Sequence, residues 1–202
     1  MLRRARELDC PWDETTCAAA AEGGYLEVLV WAREHGCPWS EPLGNNWHLD
    51  CCALAAGGGH LEVLKWLWEH DCPPWGERIC AAAAAEGGHL ELLMWAREHG
   101  CEWEENIVET PELDCCALAA EGGHLEVLQW LRQQRCPWDD WTFARAAAGP
   151  QLQTLIWARE NGCPWDEDVP PDRELDCCAL AAQGGYLEVL TWLLEHGFPC
   201  DA

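Results

Sequence analysis

Two kinds of apolar segment alternate along the chain, and the alternation occurs six times. A short segment made largely of Ala is followed by a turn, in most cases a Gly-Gly pair, and then by a longer segment of the form Leu-Glu-Val-Leu-x-Trp. The first segment predicts a helix of about two turns, because Ala has the highest helix propensity and neither Gly nor Pro interrupts it. The glycines predict a tight reversal. The pattern therefore predicts a series of helix-turn-helix units.

The second helix of each unit is apolar over much of its circumference, in the first unit at Leu26, Val28, Leu29 and Trp31. A helix of this kind must be covered on two sides. Neighbouring units that stack on each other supply that cover, which a single unit cannot. Gly36 and Pro38 then end the helix in the usual order, with Gly at the end and Pro just beyond it. We therefore expect a stacked array.

Equivalent positions of the units reveal a longer period. The steps between them are 35, 28, 36, 27 and 35 residues, and the positions are Cys17, Cys52, Cys80, Cys116, Phe143 and Cys178. Long and short connections thus alternate, and the true period is a pair of units about 63 residues long. Residues 5–12 repeat the pattern of 32–39, which indicates a partial unit at the start. We predict one all-α solenoid over 1–202, with about six helix-turn-helix repeats that start near 16, 51, 79, 115, 142 and 177.

Segments 52–72, 116–136 and 178–198 resemble the two-helix core of the ankyrin repeat, most specifically in Gly-His-Leu-Glu-Val-Leu at 59–64 and 123–128. The resemblance spans about 15–200, and the Cys-Pro-Trp variety is similar to repeats of algal, protist and giant-virus ankyrin proteins. The family's Thr-Pro-Leu-His and Gly-Ala-Asp-Val-Asn segments are replaced by Asp-Cys-Cys-Ala and Gly-Cys-Pro-Trp-Asp. The resemblance implies helix pairs without the standard β-hairpins, and a protein that binds other proteins.

Charge narrows the class of partner. The chain carries 36 acidic and 12 basic side chains, a formal net charge of −24. Such a field repels phosphate, which argues against DNA, RNA and anionic lipid as ligands. No apolar run approaches the roughly 20 residues that span a bilayer, so we expect no direct membrane insertion. The natural partner is a protein with a basic or amphipathic surface.

The 15 cysteines invite a metal or disulfide interpretation. However, no Cys-x-x-Cys occurs, and equivalent positions of stacked helices lie about 10 Å apart, beyond the reach of a disulfide. We therefore predict small buried hydrophobes, with reduced thiols and neither metal nor cofactor, in an intracellular reducing compartment such as the cytoplasm or an organelle stroma or matrix. An isolated disulfide or redox role stays an alternative.

Catalysis finds no support in the pattern. Ser occurs once, at Ser40, no nucleophile stands beside a base, and the carboxylates follow the repeat, as do the histidines except His48 in a long connection. We expect the protein not to be an enzyme.

Twelve Trp residues also recur at repeat positions, where we predict core packing or stacking between repeats. The position before the recurring Trp is apolar at Val30, Met94 and Ile156, and we expect the long connections to cover these side chains.

Candidate binding residues are those that break the repeat. Three Trp residues do so: Trp47 in a long connection, Trp68 where other units carry Arg or Leu, and Trp141 in a short connection. The long connections 40–50, 102–114 and 166–176 are the other irregular parts, and the last two are acidic. We expect partner binding at the three Trp residues and at Glu104, Glu105, Glu109, Asp166 and Asp168. Local packing and a solvated acidic surface are the alternatives.

Two functions fit these features. The first is a non-enzymatic scaffold that binds a partner protein through long acidic loops and exposed Trp. The second is a permanent accessory or linker subunit of a large multiprotein assembly, organellar ones included, with several neighbours.

Overall fold

The computed structural model describes residues 13–39, 50–72, 76, 79–81, 83, 87–103, 114–165 and 176–198. These residues form helix pairs and contain no strand, which confirms the all-α prediction. The helices are α1 (Glu14–Glu22), α2 (Leu26–Glu34), α3 (Cys51–Gly57), α4 (Leu61–Glu69), α5 (Leu90–Glu98), α6 (Cys115–Glu121), α7 (Leu125–Gln133), α8 (Asp140–Ala147), α9 (Leu152–Glu160), α10 (Cys177–Gly184) and α11 (Leu187–Glu195). Residues 79–81 and 83 are helical as well.

The chain groups into two compact units. The N-terminal unit comprises residues 1–83 and 91–102, and the C-terminal unit comprises 84–90 and 103–202. In the N-terminal unit, α1 packs against α3, and each of these first helices packs against its own second helix, α2 or α4. In the C-terminal unit, α6, α8 and α10 stack in one row, while α9 packs between α7 and α11 in a second row. Each unit therefore has the two-layer packing of stacked helix pairs. That residues 1–202 form a single domain stays a prediction.

An Asp side chain caps the start of five first helices. In every case it accepts a hydrogen bond from a backbone N–H in the first turn, and the capping residues are Asp13, Asp50, Asp114, Asp139 and Asp176. Their backbones fall into two groups. Asp13 and Asp139 have ψ of −167° and −164°, whereas the other three have ψ between 95° and 99°. The alternation of units in the sequence thus has a counterpart in the way the first helix begins.

The turn between the two helices also joins neighbouring repeats. Gly24 has a φ of +71°, in the left-handed region that favours glycine. A Cβ at this position would lie 2.5 Å from the ring of His60, so only glycine permits the close approach of the next repeat. His60 Nε2 lies 2.9 Å from the carbonyl oxygen of Glu22 and donates to it. Gly88 and His124 are in similar contact in the C-terminal unit.

The core consists of small and branched apolar side chains. Each of five second helices buries one Leu completely at the same position, namely Leu29, Leu64, Leu93, Leu128 and Leu155. The first helices contribute mostly Ala and Cys, whose small side chains allow neighbouring helices to approach closely. The recurring Ala and Leu positions of the sequence are therefore the ones that hold the repeats together.

Candidate protein-binding surface

Arg residues in three second helices define the repeat position that Trp68 interrupts. Their guanidinium groups donate to the carbonyl oxygen of the Cys four residues later, in the pairs Arg33–Cys37, Arg97–Cys101 and Arg132–Cys136. Arg33 also lies over the ring of Trp39, 3.9 Å from its centroid. These Arg side chains bind the end of their own helix, which explains their recurrence.

Trp68 takes the place of this Arg in α4. Its side chain is 43% exposed, although the ring meets Trp95 edge to face at 6.2 Å and His99 at 5.0 Å. The prediction of an irregular, exposed Trp in this helix agrees with its placement. Its role in binding stays a prediction.

Trp141 is placed differently from our expectation. It lies inside α8 rather than in a connection, and it is half-buried. Arg145 lies 5.7 Å from the centroid of its ring and forms an ion pair of 2.8 Å with Glu121. The assignment to a short connection was wrong because the Asp139 cap starts the helix earlier than the Ala-rich segment suggested.

The remaining candidates, Trp47, Glu104, Glu105, Glu109, Asp166 and Asp168, lie outside the described residues. The last residue of each acidic connection is, however, among the described residues. Asp114 and Asp176 close them as helix caps, and Asp114 is 2% exposed. Burial raises the pKa of Asp114 to about 7. These two carboxylates therefore serve the fold rather than a surface.

A groove between α2 and α4 combines aromatic rings with acidic groups. Its volume is about 500 Å³, and the rings of Trp39 and Trp66 in it are 6.0 Å apart. The other lining residues are Val30, Arg33, Glu34, Glu69, His70 and Asp71. The groove thus contains three carboxylates and one guanidinium. Because the carboxylates outnumber the guanidinium, the groove favours the binding of a cation.

The C-terminal unit holds the equivalent groove between α7 and α9. It measures about 400 Å³, and its rings, Trp138 and Trp157, are 6.1 Å apart. Gln133 stands in the place of Glu34, Asn161 in the place of His70, and Arg132 in the place of Arg33. The lining therefore contains one guanidinium and no carboxylate. The two grooves lie between equivalent helices and differ in charge.

The recurring Trp residues that the structure describes lie outside the core, so the second of our two interpretations, stacking between repeats, is the one that applies to them. All ten that the structure describes are half-buried on the second-helix side, and pairs such as Trp103 and Trp130, 6.0 Å apart, join neighbouring repeats. The predicted stacking is present, whereas complete burial is not. A sequence signal that could have indicated the grooves is the exchange of Glu34 for Gln133 beside an unchanged Trp.

Histidines at the ends of the second helices have a structural role. His35 stacks on Trp31 with ring centroids 4.1 Å apart, and its Nδ1 donates to the carbonyl oxygen of Trp31 at 2.8 Å. His70, His99 and His196 repeat both contacts. The structural interpretation of these side chains is thus supported by their geometry.

The cysteines only partly match our expectation. In the described part of the chain twelve are free thiols, eleven of them buried, and no group of three His, Cys, Asp or Glu side chains could hold a metal ion. Cys178 is disulfide-bonded, so the prediction of reduced thiols is wrong at this residue, and the alternative of an isolated disulfide applies there. Equivalent cysteines of neighbouring repeats are too far apart for a disulfide, whereas the close thiols, such as Cys17 and Cys37, lie within one repeat.

The apolar positions before the recurring Trp differ in exposure. Met94 is 40% exposed, while Val30 and Ile156 are half-buried. Most residues of the long connections that we expected to cover them lie outside the described part of the chain. Cover by these connections therefore stays a prediction.

The folded units define a class, the all-α solenoid of stacked helix pairs. The crystal structure of the human ASB11 ankyrin repeat domain is similar to this chain, with a TM-score of 0.60 and 18% sequence identity over 92% of this chain and 85% of that one. The similarity confirms the ankyrin repeat fold. No protein-family model and no curated protein matches the sequence.

The ankyrin repeat fold is generally a scaffold for protein–protein interaction and is typically non-enzymatic. Among the described helices, none has the length and apolar character needed to cross a membrane.

Proposed function

We propose that the chain is a non-enzymatic scaffold that binds a partner protein with a basic surface. The observation that carries the proposal is the acidic groove of the N-terminal unit. A Lys or Arg side chain of the partner can lay its aliphatic stem against Trp39 and Trp66, beside Arg33, which lies over Trp39, and His70, which stacks on Trp66. Its charge then meets Glu34, Glu69 and Asp71. Aromatic faces and carboxylates both favour a cation, so the two parts of the groove select the same ligand.

Further contacts come from the residues that break the repeat. Trp68 lies on the same helix as Trp66, and an exposed Trp is a frequent anchor of interfaces. In our proposal Trp47, Trp141, Glu104, Glu105, Glu109, Asp166 and Asp168 also contribute to the contact. Acidic loops speed association with a basic surface and lose this advantage as salt rises beyond about 0.15 M.

Affinity capture from an extract of the source cells tests the proposal. The bait is the full chain, compared with the variant Glu34→Gln/Glu69→Gln/Asp71→Asn. A matched control, Glu126→Gln/Glu160→Gln/Glu188→Gln, removes three exposed charges from the C-terminal unit instead. We expect the same basic proteins on the wild type and the control, and their loss from the groove variant. Equal capture by all three baits, or capture of acidic proteins only, contradicts a cation-binding groove.

One observation favours the alternative, a permanent accessory or linker subunit. On α11, Leu187 is 73% and Leu194 is 56% exposed. At the position of Leu187 the other second helices carry a half-buried Leu. A neighbouring subunit that packs on α11 would cover both side chains. Sedimentation velocity separates the two functions: a stable monomer supports the scaffold, whereas self-association that Leu187→Glu/Leu194→Glu abolishes supports the subunit.

A further inference from the structure

Two pairs of thiols lie in close contact inside the N-terminal unit. The Sγ atoms of Cys17 and Cys37 are 3.2 Å apart, and those of Cys80 and Cys101 are 2.8 Å apart. All four side chains are completely buried. In each pair, one Cys lies in the first helix of a repeat and the other directly follows the second helix of the same repeat. The pairs therefore join the beginning of a repeat to its end.

These distances are short enough for bond formation. A disulfide bond is about 2.05 Å long, so each sulfur has to move by only about half an ångström. The partners are 20 residues apart in the first pair and 21 in the second. Each disulfide would therefore form within one repeat and would not join equivalent cysteines of neighbouring repeats.

We propose that Cys17–Cys37 and Cys80–Cys101 are modification sites at which a low-molecular-weight disulfide converts each dithiol into an intramolecular disulfide. One cysteine thiolate attacks the small disulfide, forms a mixed disulfide and releases one small thiol. The second cysteine thiolate then displaces the other small thiol and forms the protein disulfide. Two protein thiols are oxidised, one small disulfide is reduced to two thiols, and these take up the two protons.

Burial makes this reaction depend on opening of the repeat. Thiolates are the attacking species, and burial raises the pKa of the Cys17 thiol well above its usual range. A small disulfide has no access to side chains with no exposed surface. Oxidation therefore proceeds when the helix pair opens locally. The product then closes a loop of about 20 residues and holds the first helix to the end of the second.

The chain contains a natural control. In the fifth repeat, Phe143 replaces the first-helix Cys, while Cys163 keeps the position after the second helix. Cys163 is also buried, with 2% of its surface exposed, and its thiol donates to the carbonyl oxygen of Asp139 at 3.5 Å. Oxidation of the pairs should leave Cys163 reduced.

The experiment uses the full chain, fully reduced, freed of reductant and then incubated with oxidised glutathione. Free thiols are alkylated, and peptide mapping by mass spectrometry without reduction identifies the linked cysteines. We expect peptides that join Cys17 to Cys37 and Cys80 to Cys101, and alkylated Cys163. The melting temperature should rise by roughly 5 °C or more on oxidation, as expected for loops of this length.

Variants distinguish the two proposed disulfides from oxidation of other cysteines. In Cys17→Ala/Cys80→Ala the difference in melting temperature between oxidised and reduced protein should disappear, whereas Cys163→Ala should keep it. Each variant is compared with itself, so destabilisation by the substitution does not affect the result. Three results of peptide mapping would overturn the proposal: a peptide that joins Cys17 to Cys51, stable glutathione adducts on Cys37, or wild-type protein without either linkage. Because this mapping uses the wild type, it remains decisive even if a variant fails to fold.

Discussion

Thr154 offers a direct test of how the fold treats a polar group in its interior. Its side chain is completely buried in α9, and its Oγ1 has no hydrogen-bond partner in the described structure. Equivalent positions in other second helices carry Val28, Val63, Leu92, Val127 and Val189. The hydroxyl therefore loses its bonds to water on folding without replacement.

Replacing Thr154 by Val should stabilise the protein. The two side chains have nearly the same volume, and their helix propensities are similar, so the substitution changes little besides the hydroxyl. Burial of an unpaired hydroxyl costs about 1–3 kcal/mol. We expect the free energy of unfolding to rise by about 1–2 kcal/mol, measured by urea denaturation followed by circular dichroism.

Two control variants accompany this measurement. Val127→Thr introduces the same hydroxyl at an equivalent buried position and should destabilise by a similar amount. Thr191→Val alters an exposed side chain whose hydroxyl donates to the carbonyl oxygen of Leu187, and it should change stability by less than about 0.5 kcal/mol. A loss of stability in Thr154→Val would refute the reasoning, since it would show that the hydroxyl is paired in solution.

The other predictions concern pH, backbone conformation and the acidic connections. The raised pKa of Asp114, about 7 against an ordinary 3.8, means that the folded state binds this proton more tightly than the unfolded state. Its contribution to the free energy of unfolding is full below pH 4 and is lost as pH rises through 7, at up to about 1.4 kcal/mol per pH unit. Asp114→Asn should remove this pH dependence in denaturation curves measured between pH 4.5 and 7.5. An unchanged pH dependence would contradict the raised pKa of Asp114. Arg135 has a φ of +63° at a position where four other second helices have Gly, as at Gly36 with +82°, and α4 has Asp71 with +50°. Arg135→Gly should therefore raise the free energy of unfolding by about 0.5–1 kcal/mol, whereas a decrease would show that the Arg side chain matters more than the backbone. For the acidic connections, Glu104→Gln/Glu105→Gln/Glu109→Gln should weaken partner binding at low salt only, and Trp47→Ala should weaken it at both low and high salt; unchanged affinity in both variants, with the fold intact by circular dichroism, would place the partner elsewhere.

The sequence by itself determined the repeat and its helices. Ala-rich segments, Gly turns and the Leu-Glu-Val-Leu-x-Trp pattern are local signals, and they fixed the order of the helix pairs and the positions of the buried Leu29 and Leu64. The alternation of long and short connections was also visible, and its physical counterpart is the two cap conformations of Asp13 and Asp50. A repeated pattern supports such inference because every unit requires the same packing, so the residue types that provide it recur at the same positions.

Only the tertiary structure decided which side chains meet. The grooves depend on how Trp39 approaches Trp66 from the next repeat, and sequence periodicity cannot distinguish a half-buried ring at such a junction from a buried one. The contact between the thiols of Cys17 and Cys37 likewise depends on the turn that folds the second helix back along the first. Helical periodicity describes one helix at a time, whereas a groove or a thiol pair is a property of two segments brought together by packing.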